Sequence, residues 1–191
     1  MKIDTTRYGG RPADCTGRLP REVACYDLLD ELGIAYQRVD HEPADTIPDC
    51  EQVEEYLGTK TCKNLVLCNR QKTDFYLLLM DGEKPFRTKD LSKQIGSSRL
   101  SFAPPEEMEK YLGVTPGSAT VLGLMNDREH KVRLLLDKSI ADAERFGCHP
   151  CINTSTLNLS MGDIRRKFLP HLGVEPTIVD LPDPRLEERE A

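Results

Sequence analysis

The spacing of apolar residues predicts a chain in which helices and short strands alternate. Four apolar residues recur at helical spacing over residues 21–32, and Gly33 follows as a C-terminal stop. Two strongly apolar runs, Leu65–Cys68 and Phe75–Met80, are separated by six polar residues. Runs of this length on either side of a short polar connection predict a buried β-hairpin.

Shorter patterns predict the remaining elements. Capping residues, prolines and glycines delimit helices over residues 49–57, 88–95, 105–112, 139–146 and 163–172. Apolar and alternating runs predict strands over residues 34–39, 100–102, 117–124, 132–137 and 177–179. Because strands and helices interleave irregularly and include a hairpin, the pattern favours a mixed α/β sheet over a doubly wound parallel one.

The length and composition are typical of one medium-sized globular domain. The chain has 191 residues, of which 38% are hydrophobic and 30% charged. Residues 1–19 are predicted to be an irregular lead-in, residues 20–180 the domain, and residues 181–191 a charged, mobile tail. No apolar run approaches the roughly 20 residues of a membrane helix, so no membrane association is expected.

The cysteines and the N-terminus bear on the compartment. Seven cysteines are scattered along the chain, and the first ten residues lack the apolar core of an export signal. An odd number of cysteines without such a signal indicates reduced thiols. A cytoplasmic location is therefore expected.

Charge is distributed unevenly. The formal net charge is −6, yet residues 60–99 hold nine basic and four acidic side chains. We call this segment the basic zone. A basic zone on an acidic protein suits contact with a polyanion, although a merely solvated surface gives the same pattern.

Several common catalytic and cofactor motifs are missing, since the chain has neither a Walker-type phosphate loop, nor G-x-G-x-x-G, nor G-x-S-x-G. Cys148 and Cys151 have C-x-x-C spacing, which permits a metal or redox site. The only other close pair, Cys62 and Cys68, has unusual spacing for zinc, and two buried thiols are the simpler interpretation. We expect no metal and no cofactor.

Three segments are candidates for chemistry. Lys63 opens the apolar strand at Leu65, where its ammonium could lie at a pocket rim or remain in solvent. The small residues of Pro116–Ala119 could expose backbone amides to a ligand or form a plain turn. His149, with Asn153 and Thr154, forms a polar cluster that could equally be a satisfied core histidine.

These segments, taken in order, resemble a known family. The similar stretches are Lys63–Leu67, Phe75–Leu77, Leu100–Ala103, Leu112–Ser118, Gly123–Asp127, Val132–Asp137 and His149–Thr154. They resemble the YbaK and prolyl-tRNA-synthetase-associated editing domains, most closely the free-standing prolyl-tRNA editing proteins that act on Ala-tRNA(Pro). The resemblance implies one domain with a curved, mixed, barrel-like sheet flanked by helices.

The resemblance also implies an activity and roles for individual residues. The activity is hydrolysis of the ester in a mischarged tRNA, with the tRNA acceptor end as partner and prolyl-tRNA synthetase as a candidate second partner. Lys63 is similar to the family lysine that engages the acceptor end, Asn64 is its neighbour, and His149 is similar to the histidine beside the pocket. The remaining implied site residues are Gly117, Ser118, Ala119, Thr120 and Val121 in the pocket loop, and Asn153 and Thr154 near the histidine.

One position departs from the family pattern. Family members often have Gly-x-x-x-Pro in the pocket loop, whereas Val121 lies four residues after Gly117 here. The size limit of the pocket is therefore open, and cysteine or serine are alternatives to alanine. A module that binds the tRNA end or a synthetase without catalysis is a further alternative.

Overall fold

The computed structural model describes residues 1–44 and 47–184 of the chain. Its strands are β1 (Tyr8–Gly9), β2 (Gln37–Asp40), β3 (Cys62–Asn69), β4 (Phe75–Asp81), β5 (Leu100–Phe102), β6 (Val132–Asp137), β7 (Arg145–Cys148), β8 (Ser155–Ser160) and β9 (Thr177–Val179). Its α-helices are α1 (Pro20–Glu31), α2 (Ile47–Leu57), α3 (Thr88–Ile95), α4 (Pro105–Leu112), α5 (Lys138–Ala141), α6 (Met161–Asp163) and α7 (Leu169–Leu172). A π-helical turn, Ile164–Phe168, joins α6 to α7.

The larger sheet is mixed and has the order β5-β3-β4-β6-β9. Strands β3 and β4 form the predicted antiparallel hairpin, and β6 pairs with β4 in parallel. Strand β4 is buried on both faces, with Leu77 and Leu79 in the main core and Leu78 and Met80 in a second cluster with Leu91 of α3. This double burial explains why the run Phe75–Met80 is apolar without alternation.

The smaller sheet is antiparallel and has the order β1-β2-β8-β7. It meets the larger sheet at one parallel bridge between Thr61 and Gly147. The N–H group of Gly147 donates to the carbonyl of Lys60 at 2.7 Å. A side chain at position 147 would meet Thr61 at 3.0 Å and Leu57 at 3.2 Å, so glycine permits this close approach. The bridge places the start of β3 beside β7.

The predicted mixed class is confirmed, and the described strands form two joined sheets that do not close into one barrel. The capped helices end as expected, with Gly96 and Gly113 in the left-handed conformation after α3 and α4. The predicted helix over residues 163–172 is present and begins slightly earlier, at Met161. No helix in residues 1–44 and 47–184 is long and apolar enough to cross a bilayer.

The strand predicted over residues 117–124 is wrong. Val121–Asn126 form a 3₁₀ helix, and the Thr120 hydroxyl accepts the Leu122 N–H at its start at 3.3 Å. This helix packs against the end of α4 so closely that a side chain at Gly123 would lie 2.9 Å from the Leu112 carbonyl oxygen. The apolar run is buried on all sides here, so its hydrophobicity could not distinguish a strand from a helical turn.

The helix predicted over residues 139–146 is also wrong in its second half. Helix α5 ends at Ala141, and Arg145–Cys148 form strand β7. At the two ends of the chain, Tyr8–Gly9 of the predicted lead-in pair with β2, and Leu181 at the start of the predicted tail is buried. Residues 185–191 of that tail lie outside the described residues.

Candidate active site

A cavity of about 250 Å³ opens where α2, β3 and β4 meet beside the junction of the two sheets. Lys63 lies on its wall. Its lining residues come from the middle of α2, from the start of β3 with the two residues before it, and from the end of β4 with the turn that follows: Cys50, Glu51, Glu54, Lys60, Thr61, Cys62, Lys63, Asp81, Gly82 and Glu83. Drug-sized ligands occupy pockets of roughly 300–1,000 Å³, so this cavity suits a smaller group.

Lys63 is half-buried and fixed against one wall. It pairs with Met80 across the β3–β4 hairpin, and its Nζ donates to the carbonyl oxygen of Lys84 at 2.7 Å. This bond uses one of the three N–H donors of the ammonium and fixes the direction of the head group. The predicted position at a pocket rim describes the side chain better than a freely solvated lysine.

The turn of residues 81–84 forms that wall. The Asp81 carboxylate accepts the backbone N–H groups of Glu83 at 2.8 Å and Lys84 at 3.0 Å. A Cβ atom at Gly82 would lie 2.6 Å from the Thr61 carbonyl oxygen, a distance that side chains do not tolerate. Glycine therefore lets the turn lie directly against the start of β3.

Glu54 and Lys60 complete the opposite wall. Glu54 accepts the Thr61 backbone N–H at 2.8 Å and the Thr61 hydroxyl at 2.6 Å. Lys60 contacts Glu83 at 3.0 Å and Glu54 at 3.1 Å, and these two carboxylates, Glu83 foremost, raise the pKa of Lys60 to about 12. The lining carries four carboxylates and two lysines, so it offers groups for both an anion and a cation.

Cys62 is not suited to act as a nucleophile. Burial raises the pKa of its thiol to about 12, so the thiol is protonated near neutral pH. The predicted site residue Asn64 lies on the same face of β3 and donates to the Cys62 sulfur and carbonyl, each at 3.2 Å. Its side-chain oxygen is buried and accepts no hydrogen bond from the described residues.

None of the predicted pocket-loop residues is among the described residues that line the cavity. The Ser118 hydroxyl accepts the Thr115 N–H and donates to the Thr115 carbonyl, both at 3.0 Å, which closes a tight turn. Thr120 and Val121 are fully buried, whereas Gly117 is exposed and Ala119 is half-buried.

His149 belongs to a histidine pair on the smaller sheet. Its Nδ1 lies 3.0 Å from the Ser155 carbonyl oxygen, so Nδ1 carries the proton. The Thr156 hydroxyl lies between the two imidazoles, 2.8 Å from Nε2 of His41 and 3.3 Å from Nδ1 of His149. Burial, with a smaller effect of His41, lowers the pKa of His149 to about 4, so the ring is neutral at pH 7.

The other two predicted residues lie at the turn between β7 and β8. Asn153 accepts the Ala44 N–H at 3.3 Å, and the Thr154 carbonyl accepts the His41 N–H at 3.0 Å. They hold the segment that leads to residues 45–46, which are outside the described part of the chain. The structure thus joins His149, Asn153 and Thr154 in one cluster and Lys63 and Asn64 in another.

The C-x-x-C cysteines point in different directions. The Cys151 sulfur lies 3.5 Å from that of Cys25, whereas Cys148 neighbours Cys62. In residues 1–44 and 47–184, no group of three or more His, Cys, Asp or Glu side chains is arranged to hold a metal ion.

Sequence reasoning missed most of the cavity wall. Glu54, Asp81 and Gly82 had no assigned role, and Lys60 and Lys84 were counted only within the basic zone. The pair Asp81–Gly82 after an apolar strand is a turn signal, and that turn could have been placed beside Lys63 through the hairpin. Glu54 had no such signal, because its contact with Thr61 depends on the packing of α2.

Comparison with known proteins decides the family. Residues 41–167 match the family model described as the aminoacyl-tRNA editing domain, which is more than half of the chain. The chain belongs to the aminoacyl-tRNA editing domain family. Membership confirms the predicted family and the predicted activity class, aminoacyl-tRNA deacylation.

Relatives and solved structures agree with this assignment. The chain is 33% identical over 138 residues to the prolyl-tRNA editing protein ProX of Acetoanaerobium sticklandii, covering 72% of this chain and 84% of the relative. It is 30% identical over 167 residues to prolyl-tRNA synthetase associated domain-containing protein 1 of Xenopus laevis, covering 85% and 97%. A crystal structure described as a candidate trans-editing enzyme for prolyl-tRNA synthetase has the same fold, with a TM-score of 0.65, 16% identity, and coverage of 86% and 98%.

Proposed function

We propose that the protein is a trans-acting deacylase that hydrolyses the ester of mischarged tRNA(Pro), with Ala-tRNA(Pro) as the preferred substrate. The observation that carries the proposal is the place of Lys63 on the wall of a small cavity in a member of an editing family. The choice of tRNA(Pro) is supported by the relative named as a prolyl-tRNA editing protein.

The cavity lining carries charges opposite to the two charged groups of such a substrate, the phosphate of the tRNA end and the α-ammonium of the amino acid. The ammonium of Lys63 suits the terminal phosphate of the tRNA, as the resemblance implies. The carboxylates of Glu51, Asp81 and Glu83 suit the α-ammonium that every aminoacyl ester carries. A free amino acid would offer its carboxylate to the same acidic wall, so the acidic wall favours the ester over the hydrolysis product.

The reaction needs no side-chain nucleophile. A water molecule attacks the ester carbonyl, the carbonyl oxygen becomes an oxyanion, and the bond to the ribose oxygen breaks. The ribose oxygen takes up the proton that the water loses, so the products are the free amino acid and the uncharged tRNA. Positioning of the ester and stabilisation of the oxyanion are sufficient contributions from the protein. The neutral His149 imidazole is a candidate proton acceptor, whereas the side-chain oxygen of Asn64 can only accept a hydrogen bond from the attacking water.

The dimensions of the cavity support discrimination by size. A synthetic site made for proline gains only about 1–3 kcal/mol against a substrate that lacks a methylene group. A second, smaller site can admit alanine and exclude proline by steric clash. The cavity of about 250 Å³ is compatible with an alanyl group and part of the terminal ribose. Val121 stands where family members often have proline, so a panel of alanyl, cysteinyl and seryl tRNAs is needed to identify the amino acid.

The basic zone divides into two groups of cations. Four of its nine cations are engaged, Lys63 with a backbone carbonyl and Lys60, Lys84 and Arg87 with carboxylates. The other five have no side-chain partner within residues 1–44 and 47–184: Arg70, Lys72, Lys89, Lys93 and Arg99. Arg70 and Arg99 share a depression of about 450 Å³ next to Phe102, whose exposed fraction is 62%.

We assign the acceptor stem to this second group. Along strand β3, Lys63 and Asn69 are separated by about 20 Å at roughly 3.3 Å per residue. A tRNA whose 3′ end enters the cavity extends well beyond that distance, so the unpaired arginines can contact its phosphates. Such contacts would weaken as salt increases.

Prolyl-tRNA synthetase is the candidate protein partner, and a binding assay between the two purified proteins tests it.

The decisive experiment is deacylation of a panel of mischarged tRNAs by the wild type and by Lys63→Ala. Ala-tRNA(Pro) should be hydrolysed and Pro-tRNA(Pro) spared, and Lys63→Ala should lose at least about 100-fold in kcat/KM, as expected for a group that positions the reacting ester. Lys131→Ala, an exposed lysine before β6, is the matched control and should keep the wild-type rate. Tight tRNA binding without hydrolysis of any member of the panel would instead favour the non-catalytic module.

A further inference from the structure

We propose that the buried ion pair Lys84–Asp137 is a positioning device for Lys63. The device acts through the Lys84 backbone carbonyl, which accepts the Lys63 ammonium. Its importance for catalysis rests on the proposed deacylase function, whereas its effect on Lys63 does not.

Asp137 is a fixed anchor at the end of β6. It is fully buried, and one carboxylate oxygen accepts the Leu181 N–H at 2.9 Å. The other oxygen accepts the Ser139 hydroxyl and the Lys84 ammonium, the latter at 2.9 Å. A carboxylate with this many donors in a buried site has no freedom to reorient.

Lys84 connects the buried Asp137 to the cavity wall. Its side chain is 5% exposed, which is unusual for lysine, and it points away from the cavity toward Asp137. Its backbone N–H donates to Asp81 on the other side of the turn. The turn of residues 81–84 is therefore held at Asp81 at one end and by the ion pair at the other.

The carbonyl oxygen of Lys84 faces the opposite way from its side chain and accepts the Lys63 Nζ at 2.7 Å. Because both ends of the turn are fixed, this oxygen keeps its position and restrains the long, flexible side chain of Lys63. Loss of the ion pair would let the carbonyl move and would loosen this restraint on the Lys63 side chain. A solvent-exposed lysine at position 84 would build the same turn without this restraint.

The test uses a variant that removes both charges together. A change at Lys84 alone leaves Asp137 buried without its partner and can unfold the protein, so the informative variant is Lys84→Met with Asp137→Asn. Asparagine keeps an acceptor for the Leu181 N–H and a donor for Ser139. The matched control is Lys167→Met with Asp163→Asn, a pair of an exposed lysine and a half-buried aspartate with a nitrogen–oxygen distance of 3.2 Å on another part of the fold.

The first measurement does not depend on activity. Reductive dimethylation with formaldehyde and a borohydride reagent, followed by mass spectrometry, gives the labelling rate of each lysine. The Lys84→Met/Asp137→Asn variant should label Lys63 at least about threefold faster than the wild type, because a released ammonium is more accessible. Lys72 serves as the internal reference. An unchanged Lys63 rate in a folded variant overturns the proposal.

The second measurement is a double-mutant cycle with Lys63→Ala. In the protein that keeps Lys63, the Lys84→Met/Asp137→Asn variant should lower kcat/KM for Ala-tRNA(Pro) by about tenfold. In the Lys63→Ala background it should have no further effect, because the device acts through Lys63. An equal loss in both backgrounds indicates a purely structural role and overturns the proposal. If the wild type hydrolyses no member of the panel, the proposed function fails, and the labelling experiment still decides the positioning claim.

Discussion

Basic residues lie at both ends of strand β3, but the surroundings of their side chains differ between the two ends. At the cavity end, Lys63 and the neighbouring Lys60 and Lys84 are all held by specific partners. At the far end, Arg70 and Arg99 lie in an open depression with no side-chain partner in the described part of the chain. The contrast shows that cations in one basic zone serve two purposes, since held cations shape a site whereas unpaired ones remain available to a polyanion.

The largest expected effect is a loss of stability, and it distinguishes the buried Lys84 from the exposed Lys60. Lys84→Met should lower the free energy of unfolding by about 3–5 kcal/mol, because it leaves the buried Asp137 carboxylate unpaired. Lys60→Met removes exposed ion pairs with Glu54 and Glu83 and should cost no more than about 1 kcal/mol. Urea unfolding of both variants measures the difference, and equal losses would contradict the contrast between the two lysines.

Gly82→Ala tests how tightly the cavity end is packed. The new Cβ would lie 2.6 Å from the Thr61 carbonyl oxygen, so the turn or the start of β3 must move. We expect a loss of about 1–3 kcal/mol in stability, together with at least a tenfold lower deacylation rate. Gly9→Ala is the control, since nothing lies within 4 Å of a side chain at that position. Wild-type activity in Gly82→Ala would show that the wall can move without consequence.

Acid should lower the stability of the smaller sheet through His149. Its pKa is lowered to about 4 in the folded protein from an ordinary value of 6.5, chiefly by burial. Between these values the unfolded chain binds more protons than the folded one, so stability falls as pH falls from about 6.5 toward 4. We expect a loss of about 1–2 kcal/mol between pH 7 and pH 5 from this residue.

The measurement is urea unfolding at pH 7 and pH 5 for the wild type and for His149→Gln. The variant should lose less stability over this interval than the wild type. His171→Gln replaces an exposed histidine and should behave as the wild type does. The same pH dependence in all three proteins would mean that His149 does not contribute. His41, whose pKa burial also lowers, adds a further loss that both variants share.

The sequence predicted the elements that local patterns determine. The β3–β4 hairpin, α3 and α4 were found because apolar runs, capping residues and glycines mark them within a few positions. The 3₁₀ helix Val121–Asn126 was missed because burial of Val121–Leu124 erased the periodicity that separates strand from helix, and strand β7 was missed because four residues are too few to show a period.

The sequence predicted the strand that carries Lys63, but it did not predict the wall of the cavity. Lys63 could be placed at a strand entrance from its neighbours alone. The burial of Lys84 depends on Asp137, which is 53 residues away in the chain, and no local pattern reports such a contact. A lysine that is almost fully buried also contradicts the usual preference of the residue type, so composition pointed to solvent.

The smallest expected effect concerns the far end of β3. Arg70→Ala combined with Arg99→Ala should leave stability within about 0.5 kcal/mol of the wild type, because neither side chain has a partner within residues 1–44 and 47–184. If both arginines contact phosphates, KM for Ala-tRNA(Pro) should rise severalfold at unchanged kcat. The slope of log KM against log salt concentration should fall by roughly 1–2, or about 0.7–0.9 for each lost phosphate contact.

The control for this effect is Arg165→Ala with Arg166→Ala, two exposed arginines outside the basic zone. This variant also loses two positive charges, so it separates a local contact from a change in net charge. Equal KM shifts in the two double variants would show that tRNA senses only the total charge. A shift confined to Arg70 and Arg99 would mean that the unpaired end of β3 lies along the acceptor arm while the held end receives the ester.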